Sequence, residues 1–292
     1  MLWRIRRYMI TVPKLAAETL ESFLASHMSR RFGSTEASMA ALVSSVARLA
    51  LEYIGNSDAL YHNVEHTMLV TLVGYDILNG RALFKPTLPS DYAHFIVACL
   101  LHDIGYVRCL LKGDDADGCV IDRDGNRAKL LRGSSDAALL FHHVDRSKLF
   151  VMDRFADSDT LDAARIARAI EFTRFPTSVG EPEHKNNEEG LLMRAADLIG
   201  QLGDPNYLRK ANALYHEFEE IGLNRQLGYR SPADLTDLYP QFYWNSVSTN
   251  VQTAIRYLNV TSSGRQWIAN LYSNVFRAEQ GIVPVVNSVR LA

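Results

Sequence analysis

Cysteine, charge of one sign and long apolar runs are all scarce in this 292-residue chain. Its cysteines are Cys99, Cys109 and Cys119, an odd number without a CxxC spacing. That argues against a disulfide framework and for a reduced, cytoplasmic setting. The formal net charge is −2, so no strongly basic face is implied and nucleic acid is disfavoured as the main ligand. No stretch reaches the roughly 18 apolar residues that a transmembrane helix needs. Residues 1–10 are basic and apolar, but no long apolar core or small-residue cleavage site follows, so they are not read as a signal peptide. Internal repeats and low-complexity linkers are absent. A composition of 47% hydrophobic and 22% charged residues suits one large domain or one domain with extensions.

What the chain has in quantity is helical periodicity. Pro13 opens a helix to about residue 29, with Leu15, Leu20, Phe23 and Leu24 on its apolar side. His27 stands near its end, where an imidazolium suits the helix dipole. Ser34 or Thr35 caps an alanine-rich second helix through residue 50. A third is predicted over 62–79, ended by Asn79-Gly80, and a fourth is capped by Ser90-Asp91 and runs through the apolar stretch 95–101. His94 in it reads as a packed or surface histidine. Helical character returns over 134–141 and from Ser158 or Asp159 to Ile170, before Pro176. A polar loop with His184 follows, then a helix over 191–200. The helix from Tyr207 carries Leu214, Tyr215, Phe218 and Ile221, with Glu217, Glu219 and Glu220 as its wet face. Pro232 sits at a helix or turn start. Val251, Ala254, Ile255 and Leu258 mark one more helix, Ser262-Ser-Gly264 breaks it, and Trp267 to Ala278 is the last. The expected fold is all-α, a multi-helical bundle. It divides into N-terminal helices packed on the core (1–57), a catalytic domain (58–278) and a tail (279–292).

Three patches break the apolar pattern with metal-binding residue types. The first is Tyr61-His62-Asn63-Val64-Glu65-His66. On a helix His62 and His66 would share one face, about one turn apart. The second is His102-Asp103, emerging from the apolar run 95–101. Burying such a pair uncompensated is too costly, and a divalent ion would satisfy both side chains. The third is Asp197 within the apolar stretch 191–200. Each patch alone has a plain alternative: His62 and His66 as helix caps, Asp103 paired with Arg108, and Asp197 paired with Arg194. Together they favour one or two divalent ions, with Mn, Fe, Mg, Co, Ni and Zn all open.

Residues 111–133 are charged, glycine-bearing and poorly periodic. Asp114, Asp115, Asp117, Asp122 and Asp124 miss the EF-hand spacing and have no glutamate at the loop's last position, so calcium is not read here. A short β-hairpin around Asp124-Gly125 is expected. Its place just after His102-Asp103 makes this polar insertion a candidate rim or lid, restricting access and helping to choose the substrate. His142 and His143 stand together further on. Adjacent helical side chains diverge by about 100°, so at most one of the two faces the site, and either could serve a second metal or a phosphate. Arg146 and Lys148 could support that phosphate.

Imidazoles and carboxylates from separate helices define the chemistry. A bound divalent ion lowers the pKa of a coordinated water and polarises phosphoryl oxygens. A departing alkoxide then needs a proton, which His62 can give if Glu65 or another carboxylate raises its pKa.

Tyr61-His62-Asn63-Val64-Glu65-His66, His102-Asp103 and Asp197 within Ala196-Asp197-Leu198, in this order, resemble the HD-domain metal-dependent phosphohydrolases. More narrowly, they resemble the cyclic nucleotide phosphodiesterase branch, over about residues 58–260. The resemblance implies an all-helical fold and a metal held by His66, His102, Asp103 and Asp197, with Asp103 and Asp197 also reaching a second ion. It makes His62 the leaving-group acid and Tyr61 and Asn63 its support. Tyr106 stands where that branch carries another histidine, and Gln241 and Phe242 stand near its purine clamp with different spacing. The implied partner is a small-molecule phosphoester, a nucleotide or cyclic nucleotide. Phosphomonoesters and nucleoside polyphosphates are the alternative substrates. A non-enzymatic metal-dependent binding protein and an oxygenase on a diiron scaffold are the alternative classes.

Overall fold

The computed structural model describes residues 10–175 and 187–281, and these form helices and one small hairpin. Helix α1 (Val12–Phe32) has Pro13 in its first turn, where a missing N–H costs nothing. It packs on α2 (Ala37–Ile54), which a 3-10 turn at Ser34–Glu36 introduces in place of a direct Ser34 or Thr35 cap. By length and composition Ser34–Ile54 could cross a membrane. Val43, Ala47, Ala50, Leu51 and Ile54 are nevertheless buried, and the helix packs on α1 and α4. His27 is not the imidazolium expected at the end of α1. Its ring stands against those of Tyr75 and Tyr92, and burial, with Arg31 and Arg30 nearby, lowers its pKa to about 4.

Helix α3 (Val64–Arg81) starts later than its periodicity suggested. Asn63 is the N-cap, its side-chain oxygen accepting the N–H groups of Glu65 and His66. His62 therefore lies ahead of the helix, and the one-face spacing of His62 and His66 does not apply. Helix α4 (Pro89–Leu101) carries Pro89 in its first turn. Asp91 lies inside that turn and accepts the N–H of Leu88 at 3.3 Å, so Ser90-Asp91 does not precede the helix. Every residue from Tyr92 to Leu101 is buried because α2, α3, α6 and α7 surround α4. An apolar stripe wrapping all sides of a helix is what such a position requires. His94 is packed, with Nδ1 at 2.6 Å from the Ser90 carbonyl and Nε2 accepting the Asp162 N–H.

The chain then passes through the hairpin β1 (Cys119–Val120) and β2 (Arg127–Ala128), antiparallel with Cys119 opposite Ala128. Gly125 takes φ 79° in its turn, as the sequence led one to expect. Residues 134–141 form only a 3-10 turn, Asp136–Leu139. Helix α5 (His143–Arg154) follows, then α6 (Ala163–Glu171), which is capped by Asp162 and not begun at Ser158 or Asp159.

Helix α7 (Glu188–Leu202) lies against α3. Gly200 makes the approach close, since a Cβ there would stand 2.8 Å from the Val70 side chain and 2.9 Å from its backbone. Then come α8 (Tyr207–Glu220), α9 (Leu223–Leu227), α10 (Pro232–Asp237) and α11 (Tyr239–Phe242), a π-helical turn at Tyr243–Val247, and α12 (Ser248–Leu258). In α13 (Ser262–Glu279) Ser262-Ser-Gly264 is the first turn and not a break, with Thr261 as its cap. One cluster of buried residues runs from Ala17 in α1 to Val275 in α13. The segment 1–9, most of the loop with His184, and the tail from 282 lie outside the described residues.

Candidate metal centre

Three neighbouring helices bring the patches together. His66 stands in the first turn of α3, His102 ends α4, Asp103 follows it, and Asp197 projects from α7. The short segment after Asp103 is tied to α5. Ser147 Oγ donates to the His102 carbonyl at 2.7 Å and accepts the Gly105 N–H at 2.8 Å. Gly105 must be glycine, because a Cβ there would lie 2.0 Å from the His143 carbonyl oxygen.

Four donor atoms converge. His66 Nε2 is 3.3 Å from His102 Nε2, 3.2 Å from Asp103 Oδ2 and 3.3 Å from Asp197 Oδ1. His102 Nε2 is 3.2 Å from Asp103 Oδ2 and 3.6 Å from Asp197 Oδ1. Atoms bound at about 2.1 Å to a common ion would stand roughly 3.0–3.4 Å apart, so the spacings fit one divalent cation. His102 Nδ1 lies 2.9 Å from the Cys99 carbonyl. A carbonyl only accepts, so Nδ1 carries the proton and Nε2 offers a lone pair to the cluster. Asp103 Oδ2 is buried with no hydrogen-bond partner among the described residues, although two imidazoles stand beside it. A metal ligand in this position needs no such partner.

The electrostatics point the same way. Burial opposes charge on all these groups, yet His102 with Asp103 beside it is held well above the usual imidazole value. Asp103 and Asp197 are held well below the usual carboxylate range by His102 and His66. The cluster favours positive charge at its centre. A second group, His62, His66 and Asp103, also offers donor atoms within 4.8 Å of one another. Asp103 turns its other oxygen, Oδ1, toward His143 Nε2 at 3.6 Å. Of the adjacent pair it is thus His143 that approaches the site. His143 is buried, with Nδ1 at the Leu140 carbonyl, and burial lowers its pKa to about 4. His142 is only partly buried at the N-cap of α5.

His62 stands beside the cluster. Its Nδ1 is 2.5 Å from Glu217 Oε2. Glu217 Oε1 accepts the backbone N–H of Tyr61 at 2.7 Å and of His62 at 3.2 Å. Burial pulls the His62 pKa down, but the charge and hydrogen bond of Glu217 more than offset this and raise it to about 9. Tyr106 stacks on His62 at 4.7 Å and on His143 at 4.4 Å, close to parallel with both. Tyr61 is buried with its ring near His62 and His66.

Glu217 is buried and does not belong to the wet face that its neighbours predict. The missed signal was its position three residues after buried Leu214, on the apolar side of α8. Glu65 pairs with Lys210 and is not the carboxylate that meets His62. The plain alternatives for the patches also give way. Arg108 pairs with Asp136 and Asp58, and Arg194 Nε donates to the Phe172 carbonyl. Arg146 and Lys148 are not free for a phosphate. Arg146 is buried against Asp114 and three carbonyls, and Lys148 pairs with Asp145 and Glu171.

A cavity of about 160 Å³ opens on the centre, with His62, Asp103 and Asp197 on its wall. Most of the rest of its lining is aromatic or aliphatic, and Phe242 belongs to it. Gln241 is exposed and does not line it, whereas Gln201 does. No lining residue comes from 111–133, so the insertion is not the rim that its position suggested.

The fold and site define a multi-helical bundle with a small two-stranded insertion and two His/Asp clusters positioned to hold a divalent metal ion. The chain belongs to the Npun_R2479-like family, whose model matches residues 11–281. No curated protein and no solved structure matches it.

Proposed function

We propose that the chain is a cytoplasmic metal-dependent phosphohydrolase of the HD type that cleaves a small-molecule phosphoester. The observation that carries this reading is a proton donor held beside a metal-ligand set. His62, raised to about 9 by Glu217, stands next to the converging donors of His66, His102, Asp103 and Asp197. His66, His102, Asp103 and Asp197 would hold a divalent ion, which would supply Lewis acidity and lower the pKa of a bound water. The chain's own contribution is positional and protonic. His62 keeps a proton on Nε2 for the leaving oxygen while Glu217 fixes Nδ1, and Asp103 offers its two carboxylate oxygens to opposite sides of the site. No covalent enzyme intermediate is needed.

Within this class, a nucleotide or cyclic nucleotide is one substrate reading. The exposed side chain of Gln241 and the approach of His143 to Asp103 favour the other, a phosphomonoester or nucleoside polyphosphate. The test is turnover of aryl phosphate mono- and diesters and nucleotide panels by protein loaded in turn with Mn, Fe, Co, Mg, Ni and Zn. It is paired with His62→Ala. That variant should keep its metal and lose about 10²- to 10⁴-fold on alkyl leaving groups, with a smaller loss on nitrophenyl esters. No turnover under any metal would leave a binding protein. Loss of metal from His62→Ala would return His62 to the ligand set.

A further inference from the structure

Arg194 is the cation on the cavity wall whose charge no carboxylate among the described residues meets. Its Nε donates to the Phe172 carbonyl at 2.9 Å, Nη1 reaches Asn250 Oδ1 at 3.4 Å, and the guanidinium lies over the Phe172 ring at 5.4 Å. Arg174, on the same wall, is engaged by Asp145 and Glu171. Burial alone pulls the Arg194 pKa down, with no opposing charge to restore it. A half-buried, unneutralised guanidinium is costly unless a ligand offsets it. Its planar fork matches the oxygens of a carboxylate or phosphate.

Position gives this charge a meaning. Arg194, Asp197, Leu198 and Gln201 all line the cavity, at the spacing i, i+3, i+4, i+7 of one helix face. The guanidinium is thus rooted about 4.5 Å along α7 from the carboxylate of the metal centre. Its partners, Phe172 beyond α6 and Asn250 in α12, belong to elements that supply no donor to that centre. The same wall includes Leu198, Phe172 and Phe242. The cavity volume of about 160 Å³ is close to that of a cavity that holds one benzene ring.

We infer that the site takes a phosphoester of a compact, ring-sized apolar body that bears a second acidic group, and that Arg194 binds this second group. The inference rests on the phosphoester reading of the metal centre.

Three non-hydrolysable probes test it by calorimetry on the Mn-loaded full chain: benzylphosphonate, its 4-carboxy derivative and its 4-phosphonomethyl derivative. The doubly acidic probes should bind about ten- to a hundredfold tighter than benzylphosphonate, the range of one hydrogen-bonded charge. The better of the two identifies the second group as carboxylate or phosphate. Arg194→Gln should abolish the preference and leave the benzylphosphonate affinity unchanged. No preference in the wild-type protein overturns the inference without recourse to any variant. So does a preference that survives in folded Arg194→Gln. An equal loss for benzylphosphonate also overturns it, since Arg194 would then serve the metal-side phosphoryl group. A fourth probe, 4-methylbenzoate, separates this inference from the reading it rests on. Its binding should depend on Arg194 with or without metal. Failure of the phosphoester reading would appear as metal-independent binding of benzylphosphonate, with the Arg194 dependence of 4-methylbenzoate intact.

Discussion

Glu217 and His62, 155 positions apart in the chain, meet through a 2.5 Å contact between Oε2 and Nδ1. The contact decides where His62 titrates. Burial favours the neutral ring, and the carboxylate reverses that, raising the pKa from 6.5 to about 9. His62 acts as an acid only when protonated, so its proton is available below about 9 and lost as pH rises through that value. Glu217→Gln keeps an acceptor for the Tyr61 and His62 N–H groups but removes the charge. Although Asp103 and Asp197 still favour the protonated ring, its alkaline limb should therefore move to lower pH than in the wild type, with a loss of about 10²-fold on poor leaving groups at pH 8. A kcat/KM profile against pH for both proteins reads this directly. An unmoved limb would remove His62 from the acid role.

Asp103 joins the converging donors through Oδ2 and faces His143 through Oδ1. Asp103→Ala should lose bound metal and activity together, as elemental analysis of the folded protein would show. A binding ion also stabilises the fold by mass action, about 2.7 kcal/mol at a hundred times its Kd. Added Mn or Zn should raise the wild-type Tm and leave that of Asp103→Ala unchanged. Wild-type metal content in the variant would sink the assignment.

The clustered histidines and aspartates were legible because burial leaves a compositional mark. His102-Asp103 ends a run with no polar face, and Asp197 interrupts another, so each needs a partner, and the nearby Arg108 and Arg194 are engaged elsewhere. What lay between distant elements was harder to see. Nothing near His62 names Glu217, and three glutamates in four positions of α8 read as a solvated block, although Glu217 follows Leu214 at a core spacing. The helical start assigned to His62 failed because Asn63, a strong N-cap type, ends the non-helical segment one residue later. The amide on the cavity wall is Gln201, one turn beyond Asp197, and not Gln241 beside Phe242.

His27 links α1 to pH. Its Nε2 is buried without a hydrogen-bond partner among the described residues, and its pKa is lowered from 6.5 to about 4. The unfolded chain therefore binds a proton that the folded one refuses between these values. The stabilisation is complete above 6.5 and is lost as pH falls toward 4. His27→Phe keeps an aromatic ring between Tyr75 and Tyr92 and removes the titration. The fall in Tm between pH 7 and pH 4.5 should be smaller in the variant than in the wild type, by scanning calorimetry. Parallel curves would show that His27 plays no part.

Arg146 holds the insertion to the body. Its Nε donates to the Gly105 carbonyl, Nη2 to Val107, and Nη1 to Val120. Asp114 receives both terminal nitrogens at 3.2 and 2.9 Å, and neither side chain of the pair has any exposure. Breaking a buried pair from one side costs about 3–5 kcal/mol, whereas replacing both partners by apolar groups is often neutral. Arg146→Met should thus be strongly destabilised, and the double variant Arg146→Met with Asp114→Leu less so. The same geometry reverses the expectation for the loop. Removing residues 113–126 takes away Asp114 and Val120 but no residue of the cavity wall. The shortened protein should lose stability on the scale of Arg146→Met and keep the wild-type ratio of rates between aryl phosphates and nucleotides. Denaturant melts and that ratio are the two measurements. A changed ratio in folded protein would restore the insertion as a selectivity element.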